Sequence, residues 1–532
     1  SLKEGWARRL EAEAVIDVFV IKEVKKMKKY SIFALLFTLM LMPVVALAAP
    51  KGDLKIALPA DPTTMDPHTR TGAPMSNTWP LVFDTLLYRN AAGEFEPNLA
   101  TSYKWVKPTV LELKIRKGVK FHNGEVLDAH AVKYSLERMF KPELKSRVKN
   151  FWKSVKTIEA VDDYTVRINT KHPDSFLFSP MSGYGHIVPP KYYESHDLKF
   201  LARNPVGSGP YRLTKWRKGS EMIFEAFPGY WNPSKQKFKR GLVSIVPEPT
   251  TRVSALLAGT VDIVKDVPPQ MAAMVNANPK LETAVGHGPK ACFIIMVLKG
   301  DVPWTNVKVR QAVNYAIDKK SIVKNVLQGY GSVAAGTIVG PSSFGHNPKV
   351  KAYSYNLAKA KKLMAEAGYA KGFSVPLMVP IGRYLKGVQG AEAVAGYLKK
   401  IGVKVKVTPL EYGAWRRNSR SKWKKGYPPY WNYACRNDSA LHSAWMFGGA
   451  LYGKSTHGGI RDKKLDAAID GARATENLQE QIKKYQDINR QVHSRAILGF
   501  LYHLDEVIAK KKTLNYKVRT DGYLIFSEAS WK

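Results

Sequence analysis

Cysteine is almost absent from this chain, with two residues in 532. That excludes a disulfide-dense scaffold and a zinc protein built on cysteine clusters. Acidic residues are scarce as well: 44 Asp and Glu stand against 83 Lys and Arg, for a formal net charge of +39. No repeat of 20–50 residues and no long low-complexity linker is present. The usual catalytic signatures are missing: there is no G-x-S-x-G, no H-E-x-x-H and no G-x-G-x-x-G. The twelve histidines are scattered, and no i, i+4 pair is flanked by a further ligand. No enzyme, metal or cofactor is therefore expected. What is present is ordinary for a folded protein: 45% hydrophobic and 11% aromatic residues exclude disorder and collagen. The length predicts two to four domains.

A strongly basic chain raises the question of nucleic acid. The N-terminus argues against it. From Met27 the chain reads Met27-Lys28-Lys29-Tyr30, an apolar run from Ile32 to Leu47, then Ala46-Leu47-Ala48-Ala49-Pro50. A basic n-region, an apolar h-region and an A-x-A site predict a signal peptide at 27–48, cleaved after Ala48. The run is short for a membrane span and holds Pro43. No cysteine follows it, so no lipoprotein anchor is expected. Residues 1–26 read as an upstream extension outside the mature protein. The mature chain is then exported to the periplasm, away from nucleic acid. Residues 1–49 hold eight Lys and Arg and five Asp and Glu, so +36 of the +39 stays with the folded part.

Strand and helix patterns alternate along the chain. Period-two alternation predicts strands at Val110–Ile115, Tyr164–Ile168 and Val403–Val407, and Lys51–Leu58 reads as a strand. Helical spacing predicts helices at Asp128–Met139, Asn306–Val326, Asn356–Ala367, Ala391–Ile401 and Gln479–His493, with Asp128 as an N-cap. Helix, glycine turn and strand follow one another at Ala391–Val407, the unit of an α/β sheet with helices on its faces. The run Gly448-Gly449-Ala450-Leu451-Tyr452-Gly453-Lys454-Ser455 has P-loop spacing, but Thr456-His457-Gly458-Gly459 is poor helix-starting sequence, so it reads as a surface loop. Gly207-Ser208-Gly209-Pro210-Tyr211 reads as a tight turn before a strand. Cys292 and Cys435 read as two buried thiols before a disulfide, because sequence does not fix their distance.

Several motifs in order carry a resemblance. Residues 97–139 include P-N-L-A-T-S-Y-K-W, L-K-I-R-K-G-V-K-F-H-N-G and A-V-K-Y-S-L-E-R. Residues 205–231 include P-V-G-S-G-P-Y-R-L and P-G-Y-W; residues 252–263 read R-V-S-A-L-L-A-G-T-V-D-I; residues 303–323 read P-W-T-N-V-K-V-R-Q-A-V-N-Y-A-I-D-K-K-S-I-V. Across about 53–525 the chain resembles the family 5 extracellular solute-binding proteins of ABC importers. The resemblance implies an α/β, two-lobe periplasmic-binding-protein fold (type II, cluster C-like) with a hinge and an interlobe ligand cleft. It places lobe I at 51–290, lobe II at 291–499 and a return to lobe I at 500–532.

The resemblance also implies site residues. Arg383 falls where dipeptide-binding members carry an arginine for the ligand carboxylate, a role suited to a planar fork. Tyr430 to Asp438 falls where peptide-binding members place a Trp and an acid for the α-amino group. Trp431 or Tyr433 would supply an aromatic wall, or each packs in the lobe core. Cys435 falls at the amine-binding position with Arg436 beside it, and Asp438 matches a later acid. Thr71, with His68 and Arg70 as weaker candidates, lies on the loop expected to face the cleft. Arg310 is expected in a lobe-stabilising ion pair.

The partners expected are a small solute or peptide and an inner-membrane ABC permease, with the protein a monomer and no nucleic acid bound. The cargo expected is a peptide or related solute. A non-peptide anion, an opine, heme or a nickel chelate is the alternative, nickel ranking low because only His68, His442 and His503 are placed to reach the cleft. From another class, the +36 charge would suit a basic surface-associated or chaperone-like protein.

Overall fold

The computed structural model describes residue 50 and residues 52–532, apart from 297, 299–300, 382, 421–429, 438–441, 444–445, 448–450 and 452–461. Asp438, residues 1–26, the leader at 27–48 and, but for Leu451, the P-loop-like run lie outside the described residues.

Eleven strands make one mixed sheet. In chain order they are β1 (Asp53–Leu58), β2 (Tyr211–Arg217), β3 (Glu221–Ala226), β4 (Arg240–Ile245), β5 (Ile263–Lys265), β6 (Leu281–Met296), β7 (Gly331–Val333), β8 (Phe373–Pro380), β9 (Val403–Leu410), β10 (Trp431–Asn437) and β11 (Leu498–Lys511). Their spatial order is β9-β8-β10-β6-β11-β5-β1-β4-β3-β2, with β7 paired to β11. The parallel pairs β1–β4 and β8–β9 sit at opposite ends. Each is crossed over by helical chain, as a parallel pair requires.

Two long antiparallel strands join those ends. The first half of β6 pairs with the end of β11, which also carries β5; the second half of β6 pairs with β10. Between the halves, at Gly286 to Lys290, the β6–β11 register shifts. A Cβ on Gly288 would sit 1.9 Å from the Leu504 carbonyl oxygen, so only glycine passes there. A second sheet is antiparallel, in the order 100–107, 110–115, 165–170, 155–162.

The helices form where the apolar spacing predicts, with caps that explain their limits. Asp128 accepts from the Ala131 amide at 2.8 Å and starts Ala129–Arg138. Asn356 starts Leu357–Glu366, and Gly368 at φ +83° follows its end. The expected helix Asn306–Val326 is two: Val307–Ala316 and Lys319–Asn325. Ile317 is extended, and Asp318 caps the second helix by accepting from the Ser321 amide at 3.0 Å. A capping aspartate competes with the backbone in mid-helix, and here it wins. Among the described residues Arg310 makes no ion pair; its guanidinium donates to the carbonyls of Trp304, Thr305, Arg495 and Ala496 at 2.8–3.2 Å.

One core packs around Trp79, Phe83 and Tyr211, and another around Trp304, Val313 and Trp431. Gly207 and Gly209 press on the chain at Val82, where a Cβ would lie 2.1 and 2.5 Å from backbone atoms. Ser208 between them donates to Asp84 at 3.1 Å, a structural bond. Among the described residues, no helix is long and apolar enough to cross a membrane.

Candidate functional site

Between the two halves of the sheet a cleft of about 970 Å³ opens. Both ends contribute to it. Thr71, Gly72 and Lys265 come from one side, Arg383, Tyr384 and Cys435 from the other, and Lys290 and Glu506 from the joining strands. Phe151 and Tyr184, from the region of the second sheet, complete the wall.

The floor carries a charge cluster. Lys265 Nζ donates to Glu506 Oε2 at 2.7 Å and to the Gly522 carbonyl at 2.7 Å; Lys290 Nζ lies 3.4 Å from Glu506 Oε1. Burial opposes the Glu506 charge, but the two ammoniums overcome it and hold the carboxyl well below its usual range. Glu506, with Asp266 next in the chain, raises Lys265 against its own burial. Lys265 and Glu506 are fixed as charges at neutral pH. Arg252 also lines the cleft, but four backbone carbonyls occupy its guanidinium.

Arg383 is exposed and follows the end of β8, on the segment that leads into the helix Gly387–Lys399. Its guanidinium lies over the Tyr412 ring, 5.1 Å from the centroid. This cation–π contact orients the fork and leaves its edge open to a ligand. Tyr384 beside it is pushed up to about 12, chiefly by burial, so it is a neutral phenol. Phe151 and Tyr184 stack at 3.9 Å, an apolar face for the ligand body.

The structure thus brings Thr71, Arg383 and Cys435 to one cleft. Cys435 is joined to Cys292 in a disulfide between neighbouring strands. It is half-buried, and as part of a disulfide it supplies no charge for an amine. Arg436 follows on β10 and, by strand alternation, faces the other side of the sheet.

Trp431 and Tyr433 do not reach the cleft. They stand on the same β10 face as Cys435 but earlier along the strand, where the core closes over that face and buries both fully. Trp431 meets Trp304 edge-on at 5.4 Å, and the Tyr433 and Tyr502 hydroxyls bond to each other. The stacked pair Phe151 and Tyr184 lines the cleft instead. His68 is likewise sealed in the core. Its Nε2–H donates to the His186 carbonyl at 2.8 Å and its Nδ1 accepts from Arg138 at 3.1 Å. Arg138 also grips Asp66 with two bonds, at 2.8 and 2.9 Å. His442 and His503 are each only 6% exposed. Arg70 is exposed beside the loop that carries Thr71.

Sequence reasoning missed Lys265, Lys290, Glu506, Phe151, Tyr184 and Tyr384. Tyr384 stands next to Arg383 and was open to the same inference. The others come from strands and loops far apart in the chain, with Lys290 and Glu506 216 positions apart, and no local spacing connects them.

The chain is similar to known proteins. Residues 94–447 match the family model described as bacterial extracellular solute-binding proteins, family 5, middle. A glutathione-binding protein, GsiB, of Pectobacterium atrosepticum is 31% identical over 301 residues, 57% of this chain and 58% of that protein. Heme-binding protein A of Haemophilus influenzae is 28% identical over 435 residues, 77% of this chain and 79% of that protein. Among solved structures, DppA from Helicobacter pylori, an ABC transporter-associated periplasmic binding protein in complex with the peptide STSA, superposes with a TM-score of 0.78 at 23% identity. That match covers 91% of this chain and 98% of the other. NikA from Brucella suis, in complex with Fe(III)-EDTA, gives a TM-score of 0.79 at 23% identity, covering 91% and 100%.

Proposed function

The chain belongs to the bacterial extracellular solute-binding proteins of family 5, and from that premise we propose that it captures a small carboxylate-bearing solute, a peptide or a relative of one, for an ABC importer. It does so in the periplasm, without catalysis, as a monomer, and hands the solute to an inner-membrane permease. Residues 51–290 and 500–532 act as one lobe and 291–499 as the other, closing over the ligand. Contacts from both lobes favour the closed state, which is how binding becomes a signal.

The observation that carries this reading is the position of Arg383 in a cleft lined from both ends of the sheet. Its fork pairs bidentately with a carboxylate. Phe151 and Tyr184 pack against the ligand body, and Thr71 offers a hydroxyl from the opposite side.

A second reading is favoured by Cys435. In the register that puts Cys435 at the amine-binding position, half of a disulfide stands there rather than an acid, so an anionic solute without a free amine fits the cleft better than a zwitterionic peptide. Thermal shift separates the two. Dipeptides and glutathione are compared with N-acetylated dipeptides and amine-free dicarboxylates. A binder raises the Tm by mass action. Arg383→Ala should abolish the shift from any of these and leave the Tm of the unliganded protein unchanged. An unchanged affinity would remove Arg383 from the site. A shift from acetylated but not free peptides would select the amine-free cargo.

A further inference from the structure

Behind the cleft lies a second, smaller cavity of about 70 Å³. About 10–15 Å³ suffices for one water, so this space holds several waters or one small anion. Tyr184 and Tyr523 line both cavities and form the wall between them. The small cavity is bounded by Asp84, Arg89, His186, Lys235 and Arg519.

The charges around it are unevenly satisfied. Arg519 is bound twice to Asp521, at 3.0 and 2.6 Å, and also to Glu528. Asp84 accepts from Ser208, Tyr230 and Trp231 at 3.0–3.1 Å. Arg89 is different. It is 4% exposed, and among the described residues its Nε and Nη1 meet no hydrogen-bond partner. The nearby Asp521 spends both oxygens on Arg519. The Nδ1 of His186, 2% exposed, is also unpartnered. Lys235 adds a second cation: its Nζ lies over the Tyr88 ring at 3.8 Å and 3.5 Å from Asn98 Oδ1; Asp84, Glu528 and Glu96 attract it through space, and among the described residues no carboxylate is bonded to it. A buried guanidinium with free donors is costly unless an anion completes it.

We propose that this cavity is an anion site in which Arg89 and Lys235 hold a single small carboxylate. The carboxylate has two sources with the same chemistry: a free anion such as formate or acetate, or the acidic arm of a cargo molecule seated in the cleft and reaching past Tyr184 and Tyr523.

The test starts without cargo, so its failure leaves the proposed transport function standing. Formate is titrated at constant ionic strength against gluconate, which is too large for the cavity, and the Tm is followed. The wild-type protein should show a saturable rise. Arg89→Gln should weaken formate binding by about tenfold or more, since it removes charge-assisted bonds. Lys235→Gln, read in the same way, serves if Arg89→Gln does not fold by circular dichroism. Ala-Glu and Ala-Gln then distinguish the sources. Formate competing with Ala-Glu, but not with Ala-Gln, assigns the site to the arm of a cargo. Additive shifts assign it to a free anion. No saturable response to formate or to Ala-Glu, or a response equal in wild type and both variants, would overturn the proposal and leave a cavity that holds water only.

Discussion

Burial decides the chemistry of the individual histidines. His68, His122 and His503 are each lowered to about 4, and His186 and His442 to about 3, first by burial in every case. In the unfolded chain these groups titrate near 6.5. Between pH 6.5 and about 4 the unfolded chain therefore binds more protons than the folded one, and stability falls as pH falls. The stabilising contribution is complete above pH 6.5 and is lost on the way to pH 4. The Tm should drop by several degrees from pH 7 to pH 5, measured in one buffer series at fixed ionic strength. A flat or rising Tm over that window would contradict the buried, neutral state of these rings. The same burial explains which site residues were not legible. Arg383 was placed by the resemblance of its segment to that of dipeptide-binding members, not by burial or periodicity. His68, Trp431 and Tyr433 could not be told from cleft residues by type, since the same aromatic and imidazole groups serve a core and a binding wall alike.

At the scale of elements, periodicity was a good guide and pairing was not. The strand Val110–Ile115 and the capped helices starting after Asp128 and Asn356 form where their spacing predicts. The break at Ile317–Asp318 went unread because the apolar stripe continues across it while the cap acts on the backbone. Pairing between β6 and β10, 143 positions apart at the cysteines, carries no local signal, so the disulfide stayed one of two readings. That bond now makes a testable claim. It ties the joining strand to the far end of the sheet across a long loop, which restricts the unfolded chain and contributes about 2–5 kcal/mol. The double variant Cys292→Ala, Cys435→Ala should melt several degrees below the oxidised wild type, and a reductant should lower the wild type but not the variant. Equal melting of all three would show that the sheet holds these strands without the bond.

For the molecule as a whole, closure over the cleft has a counterpart away from it. Asp174, its side chain fully buried, accepts two bonds from Arg473, at 2.9 and 2.6 Å. Ser175 donates to Gln481 at 2.6 Å, and the Arg473 guanidinium lies 5.0 Å from the centre of the Phe176 ring. These contacts fasten the segment after the strand Thr165–Thr170 to the helices Lys463–Arg473 and Leu478–Ser494. With the lobes placed as proposed, the fastening runs from one lobe to the other and acts as a clasp on the closed form. A ligand shifts an equilibrium only by its preference for one state, and a clasp adds to that preference in the absence of ligand. Asp174→Asn keeps the shape, removes the charge that Arg473 bonds and leaves it only the coulombic attraction of Asp470, a loss of about 2 kcal/mol after allowance for its exposed edge. The unliganded variant should therefore populate more open forms, seen as a larger radius of gyration by small-angle X-ray scattering. Saturating ligand should return it to the wild-type radius at a higher ligand concentration. A radius equal to wild type without ligand, together with a lowered Tm, would make the pair a packing contact within a body that does not open there.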